Sequence, residues 1–157
     1  MLFRSDIDGD GRIDLIGGDM SATTHKMAKV LMGEMDKQRH FLIHSEPPQY
    51  MRNALLLNTG AGRFQEAAFQ AGVASTDWTW STLFGDLDAD GRLDLFCTNG
   101  IARFDMNPDI EAQIRDLWAQ GKERDAIALI QNVPSVPEKN LALRNDGDLK
   151  FVKTGAD

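Results

Sequence analysis

Four aspartates crowd into nine residues at Asp86-Leu-Asp-Ala-Asp-Gly-Arg-Leu-Asp94. They hold positions one, three, five and nine, with Gly91 at position six. Ionised carboxylates at that spacing repel one another, and a chain keeps them adjacent when a hard cation sits among them. Calcium takes about six to eight oxygen ligands at roughly 2.3–2.6 Å, which a tight loop can supply. Alternate positions point inward, so Asp86, Asp88, Asp90 and Asp94 can face one centre, with the backbone carbonyl of Arg92 as the seventh-position ligand. Gly91 permits the sharp turn that closes the loop. The same pattern stands earlier as Asp6-Ile-Asp-Gly-Asp-Gly-Arg-Ile-Asp14. There the ligand candidates are Asp6, Asp8, Asp10 and Asp14, with the Arg12 carbonyl. The repeated spacing predicts two Ca²⁺ sites; the bland alternative is a pair of solvated acidic turns.

An EF-hand needs a bidentate Glu at position twelve and a helix on each side. Position twelve is Gly17 in the first loop and Cys97 in the second. Each loop leads into a short apolar run ending in Gly, Asp14-Leu-Ile-Gly in one case and Asp94-Leu-Phe-Cys-Thr-Asn-Gly in the other. Such runs suit a buried strand better than a helix. Each loop therefore lies between two strands.

The acidic balance follows from the loops. Of 24 acidic residues in the 157, the two patterns hold eight, and the net charge is −7. Two divalent ions would cancel four of those charges. There is no basic stripe, which argues against a nucleic-acid partner. An apolar content of 42% supports a core, and no apolar run reaches the ~18 residues of a membrane span. Cys97 is the single cysteine, so no internal disulfide forms, and its apolar strand predicts a small buried hydrophobe rather than a reactive thiol. Met1-Leu-Phe-Arg-Ser does not read as a secretory leader.

Further repetition organises the rest. Asn53-Ala-Leu-Leu-Leu-Asn-Thr-Gly60 with Arg63-Phe-Gln-Glu-Ala reads as two strands joined by a Gly-containing hairpin. Asn140-Leu-Ala-Leu-Arg-Asn-Asp-Gly147 with Lys150-Phe-Val-Lys-Thr repeats it. The two loops are 80 residues apart and the two hairpins 87, so two tandem units share one plan with inserts of unequal length. Each reads strand, Asp loop, strand, insert, strand, turn, strand. Four antiparallel strands per repeat is the plan of a propeller blade. The units are residues 1–76, with a helical insert at about 21–45, and 77–157, with a helical-hairpin insert at about 107–132. The full strand Trp78–Phe84 before the second loop has only Met1–Ser5 as its counterpart, which suggests a fragment of a longer protein.

In the first insert, Met27, Val30, Leu31 and Met35 give His25–Lys37 one helical face, capped by the Ser and Thr residues ahead. His25, His40 and His44 all fall here; they read as surface residues, since no nucleophile–base set accompanies them. In the second, Asn107 can cap, Pro108 suits the first turn, and Ile110, Ile114, Leu117 and Trp118 form a face. Gly121 breaks the helix, and Glu123–Gln131 carries Ala126, Ile127 and Ile130. A single tetratricopeptide-like pair cannot bury its own face, so an insert packed on a blade is the preferred reading. Trp78 and Trp80 alternate with small polar residues and would share one side of a strand, for packing between blades or as an aromatic binding patch.

The Asp-x-Asp-x-Asp-Gly-x-x-Asp-Leu loops, Phe84-Gly-Asp86 and the Asn-x-Gly-x-x-Phe hairpins resemble FG-GAP/VCBS repeats, the blades of integrin-α-like propellers. Gly72-Val-Ala-Ser-Thr-Asp-Trp-Thr-Trp and Thr98-Asn-Gly-Ile-Ala-Arg103 are similar to the ASPIC/UnbV-associated, cartilage-acidic-protein-like branch. The resemblance implies an all-β fold with helical inserts: two four-stranded antiparallel β-propeller blades, a partial propeller, with calcium in the hairpin loops of the eight aspartates. It also implies an extracellular, cell-surface or periplasmic setting, and further blades, since full propellers commonly have about seven. The expected function is a calcium-binding propeller segment of an interaction or adhesion-type protein. Its ions are structural, and its protein or glycan ligand is met by propeller loops or inserts. The alternative is part of a propeller-based enzyme with catalytic residues mostly elsewhere; no catalytic motif appears in this sequence.

Overall fold

A computed structural model describes residues 2–31, 43–47, 50–101, 107–135 and 137–154. The chain divides into two compact units: Met1–Ser21, Met51–Gly100 and Lys139–Asp157 form one, and Ala22–Tyr50 with Ile101–Glu138 the other.

The first unit is built of antiparallel sheet. Strands β1 (Leu2–Ser5), β2 (Asp14–Gly17), β4 (Ala54–Asn58) and β5 (Phe64–Glu66) make a four-stranded sheet in the order β1-β2-β4-β5. A second sheet runs β3-β6-β7-β8-β9, from Met20–Ser21, Asp77–Gly85, Asp94–Asn99, Leu141–Asn145 and Phe151–Thr154. Among the described residues the protein is thus mostly β, with two antiparallel sheets and few helices.

Each acidic stretch joins the first two strands of its sequence repeat. Ser5 pairs with Asp14 and Gly85 with Asp94, so position nine stands opposite the residue just before position one. No helix flanks either loop, as the missing position-twelve Glu predicts.

Strand β3 is the departure from a simple four-strand repeat. Met20 and Ser21 belong to the first sequence repeat, yet they pair with Trp78 and Asp77 of β6 in the second sheet. Two residues are too short to show an alternating pattern, which is why the sequence does not announce them.

One buried cluster draws on both sheets: Ile16 and Leu55 from the first, Leu95, Cys97, Leu141, Leu143 and Phe151 from the second. Ile7 of the first loop and Ala67, Ala68, Ala71, Val73 and Ala74 of the connecting segment complete it. In β7 the alternation is plain, with Leu95 and Cys97 inward and Phe96 half-buried. The short helix α2 (Ala68–Ala71) ends at Gly72, whose φ of 77° is the left-handed cap glycine favours. A Cβ there would also meet the Phe151 carbonyl oxygen at 3.2 Å.

A buried polar seam accompanies the apolar core. Asn53 Nδ2 donates to the Val73 carbonyl at 2.9 Å and to Thr76 Oγ1 at 2.6 Å, while its Oδ1 accepts the Asp19 N–H at 2.8 Å. Thr79 Oγ1 lies 2.7 Å from Thr76 Oγ1 and 2.9 Å from Asn99 Oδ1. Asn53 and Thr76 are fully buried, so these bonds satisfy groups that water cannot reach. The second repeat copies part of the seam: Asn140 Oδ1 accepts the Asn99 N–H at 2.9 Å.

A bulge in β6 falls between Thr79 and Ser81. It puts Thr79 and Thr82, three apart, both inside, and it interrupts the strict alternation from which a shared face for Trp78 and Trp80 is expected. Trp78 is half-buried, whereas Trp80 is exposed and donates its indole N–H to the Gly100 carbonyl.

The second unit holds helices, three of which have both ends among the described residues. Helix α1 (His25–Leu31) starts with Thr24 Oγ1 accepting the Met27 N–H at 3.1 Å; its expected continuation to Lys37 lies outside the described residues, as does His40. Helix α3 (Pro108–Ala119) has Asn107 Oδ1 accepting the Asp109 N–H at 3.0 Å, the expected cap. It packs along α4 (Glu123–Gln131). Ala126 is buried, Ile110, Ile114 and Leu117 are half-buried, and Trp118, Ile127 and Ile130 of the expected apolar faces are exposed. His25 and His44 are exposed, as expected. No helix among the described residues is long and apolar enough to cross a membrane.

Candidate metal centre

The two acidic loops fold alike because the same residues make the same backbone bonds. Asp6 accepts the N–H of Asp10 at 3.0 Å and of Gly11 at 2.9 Å. Asp86 accepts those of Asp90 and Gly91 at 3.0 and 2.9 Å. A carboxylate that collects two N–H groups from the far side of a turn fixes the turn. Gly11 and Gly91 sit at φ of 82° and 87°, the left-handed region that closes it.

Position nine is the anchor. Asp14 is fully buried, with Oδ2 accepting the Ile7 N–H at 2.9 Å and Oδ1 the Asn58 N–H at 2.8 Å. Asp94, 1% exposed, accepts the Leu87 N–H at 2.9 Å and the Asn145 N–H at 2.8 Å. One carboxylate thus ties its loop to the next strand of its sheet, β4 for Asp14 and β8 for Asp94.

These bonds bring positions one, three and nine together. Ligand oxygens of Asp6, Asp8 and Asp14 lie within 4.8 Å of one another, and so do those of Asp86, Asp88 and Asp94. The crowding is felt at Asp8, where partial desolvation and the nearby charges of Asp14, Asp10 and Asp6 push the carboxyl above its usual range.

Position five is placed differently. Asp10 Oδ1 accepts the Arg12 N–H at 2.9 Å, and its Oδ2 forms an ion pair with the Arg12 guanidinium. Asp90 and Arg92 repeat both contacts. Asp10 and Asp90 therefore stand outside the three-carboxylate groups.

The arginine side chains have a role that the acidic spacing does not reveal. Arg12 Nε donates to the Asn58 carbonyl and Arg92 Nε to the Asn145 carbonyl, each at 2.7 Å. Asn58 and Asn145 in turn accept the N–H of Gly60 and Gly147 at 3.0 Å. Their amides reach back to the carbonyls of Ile13 and Leu93 at 3.3 and 3.2 Å. So each acidic loop is clamped to the Asn-x-Gly hairpin of its own repeat. The recurrence of that tripeptide at a matching place was the available signal.

An open cleft of about 520 Å³ runs along this edge, lined by Asp6 and Asp8 of the first loop and by Arg92, Asn145 and Leu149 of the second repeat. It joins carboxylates, a guanidinium and an apolar wall.

Comparison with curated proteins and with solved structures gives no match. The family model of the FG-GAP-like repeat matches residues 6–97, from the first aspartate of the first loop into the strand after the second, more than half of the chain. The chain belongs to the FG-GAP-like repeat family.

Proposed function

We propose that both loops bind calcium as a structural ion, and that the chain is a segment of a calcium-stabilised β-propeller in an extracellular, cell-surface or periplasmic interaction protein. The observation that carries this reading is the convergence, in each loop, of three carboxylates within 4.8 Å. The donors are all hard oxygens, with no nitrogen or sulfur among them, which suits calcium. A cation would also relieve the repulsion felt at Asp8. The exposed pairs Asp10–Arg12 and Asp90–Arg92 are worth little in water, so a divalent ion competes readily for those two carboxylates. The Arg12 and Arg92 carbonyls are proposed as further ligands.

Bound ions would stabilise the native chain by linkage, about 2.7 kcal/mol per site at a hundredfold excess over Kd. Extracellular calcium modules bind with Kd of about 10⁻⁴–10⁻³ M, a range filled outside cells and empty in a resting cytosol; this supports the proposed setting. A propeller has about four to eight blades, so the reading calls for repeats beyond these two sheets. Within the family, we place the chain in the ASPIC/UnbV-associated, cartilage-acidic-protein-like branch, on the Trp-containing stretch before the second loop. We assign it binding rather than catalysis, with a protein or glycan as ligand.

Thermal melts of the native chain and of Asp88→Ala, in calcium and in chelator, test the reading. Calcium should raise the native Tm, and Asp88→Ala should lower Tm only where calcium is present. An equal Tm loss in calcium and in chelator would contradict a metal role for Asp88.

A further inference from the structure

Five junctions place glycine directly after an aspartate or asparagine: Asp8–Gly9, Asp10–Gly11, Asp90–Gly91, Asn99–Gly100 and Asp146–Gly147. At such a junction the side-chain carbonyl carbon can close a five-membered ring with the next amide nitrogen, and glycine has no Cβ to hinder the approach. Ring closure needs that nitrogen free and the side chain able to turn.

Four junctions are held. The N–H of Gly11 donates to Asp6 Oδ2 and that of Gly91 to Asp86 Oδ2, both at 2.9 Å. Gly147 N–H donates to Asn145 Oδ1 at 3.0 Å, and Gly100 N–H to the Trp78 carbonyl at 3.1 Å. The preceding side chains are held too. Asp10 and Asp90 pair with Arg12 and Arg92, Asp146 accepts from Arg144 Nε at 2.7 Å, and Asn99 Nδ2 donates to the Thr76 carbonyl at 2.7 Å.

Asp8–Gly9 has neither restraint. Gly9 N–H has no acceptor among the described residues, and the Asp8 carboxylate accepts one long bond, from the Asp10 N–H at 3.2 Å. Both residues are exposed, and nothing lies within 4 Å of where a Gly9 Cβ would stand. The second loop supplies its own comparison, with Ala89 at the equivalent place and a similar φ of 62°.

We propose that Asp8–Gly9 is a site of spontaneous covalent modification, through a succinimide to isoaspartate. The Gly9 nitrogen attacks Asp8 Cγ; the new C–N bond forms as the carboxyl OH leaves as water with the amide proton. Water then opens the ring at either carbonyl, giving back aspartate or giving isoaspartate, with no net change in mass. Isoaspartate carries one more carbon in the main chain and one fewer in the side chain. It therefore withdraws the Asp8 carboxylate from Asp6 and Asp14. The first loop ages by this route, while the second is spared by Ala89.

Peptide mapping of the folded chain, held in heavy-oxygen water at neutral pH with chelator, tests this whether or not the loops take calcium. Heavy oxygen and isoaspartate should enter residue 8 before any other junction. Gly9→Ala, which Ala89 shows the loop geometry to accommodate, should abolish the signal there. Ala89→Gly should bring Asp88 to the rate of Asp8. Label entering Asp10, Asp90, Asn99 or Asp146 as early as Asp8, or no gain at Asp88 in Ala89→Gly, would overturn the proposal.

Discussion

Asp94 and Asp88 sit six residues apart and do different work. The buried Asp94 carboxylate accepts two backbone N–H groups, from Leu87 and Asn145, and its removal strands both donors. Asp94→Ala should therefore cost about 3 kcal/mol even in chelator, read as a lower midpoint in urea, whereas exposed Asp88 has no such duty in the metal-free chain. A metal-free Asp94→Ala as stable as the native chain would refute the anchoring role. Cys97 is fully buried, and desolvation pushes its thiol from 9.0 up to about 11, partly offset by Thr76. A raised thiol pKa favours the folded state below the ordinary value, and that contribution fades as pH climbs toward the folded one. Cys97 should stay closed to a thiol reagent at neutral pH and react only on unfolding; rapid labelling of the native chain would contradict its burial.

Within β6, the bulge between Thr79 and Ser81 decides what faces inward. It carries Thr82 into the core, where its Oγ1 has no hydrogen-bond partner among the described residues. Thr82→Val should accordingly stabilise the chain, by about 1 kcal/mol, because an unsatisfied buried hydroxyl is exchanged for a methyl; a lower urea midpoint would show that the hydroxyl has an acceptor. The hairpin strands, the acidic turns and the capped start of α3 were legible, because each rests on local chemistry: alternation, fixed Asp spacing, Asn before Pro. Most of what escaped depends on contacts distant in sequence. Arg92 reaches Asn145 across 53 residues, and Met20 pairs with Trp78; position five escaped for a local reason, its ion pair with the arginine two residues on. The spacing of aspartates states which side chains are near, not which of them a neighbouring guanidinium claims.

At the scale of the molecule, two sequence repeats share one core and repeat one clamp, in which an acidic turn, a buried aspartate and an Asn-x-Gly hairpin lock together. The clamp holds three carboxylates close in each repeat, an arrangement whose repulsion a divalent ion would remove. Calorimetric titration of calcium into the metal-free folded chain tests this most directly. Two ions should bind per chain, one for each carboxylate group, falling to one in Asp88→Ala. A folded chain that takes up no calcium, or that binds it equally well without Asp88, would contradict it.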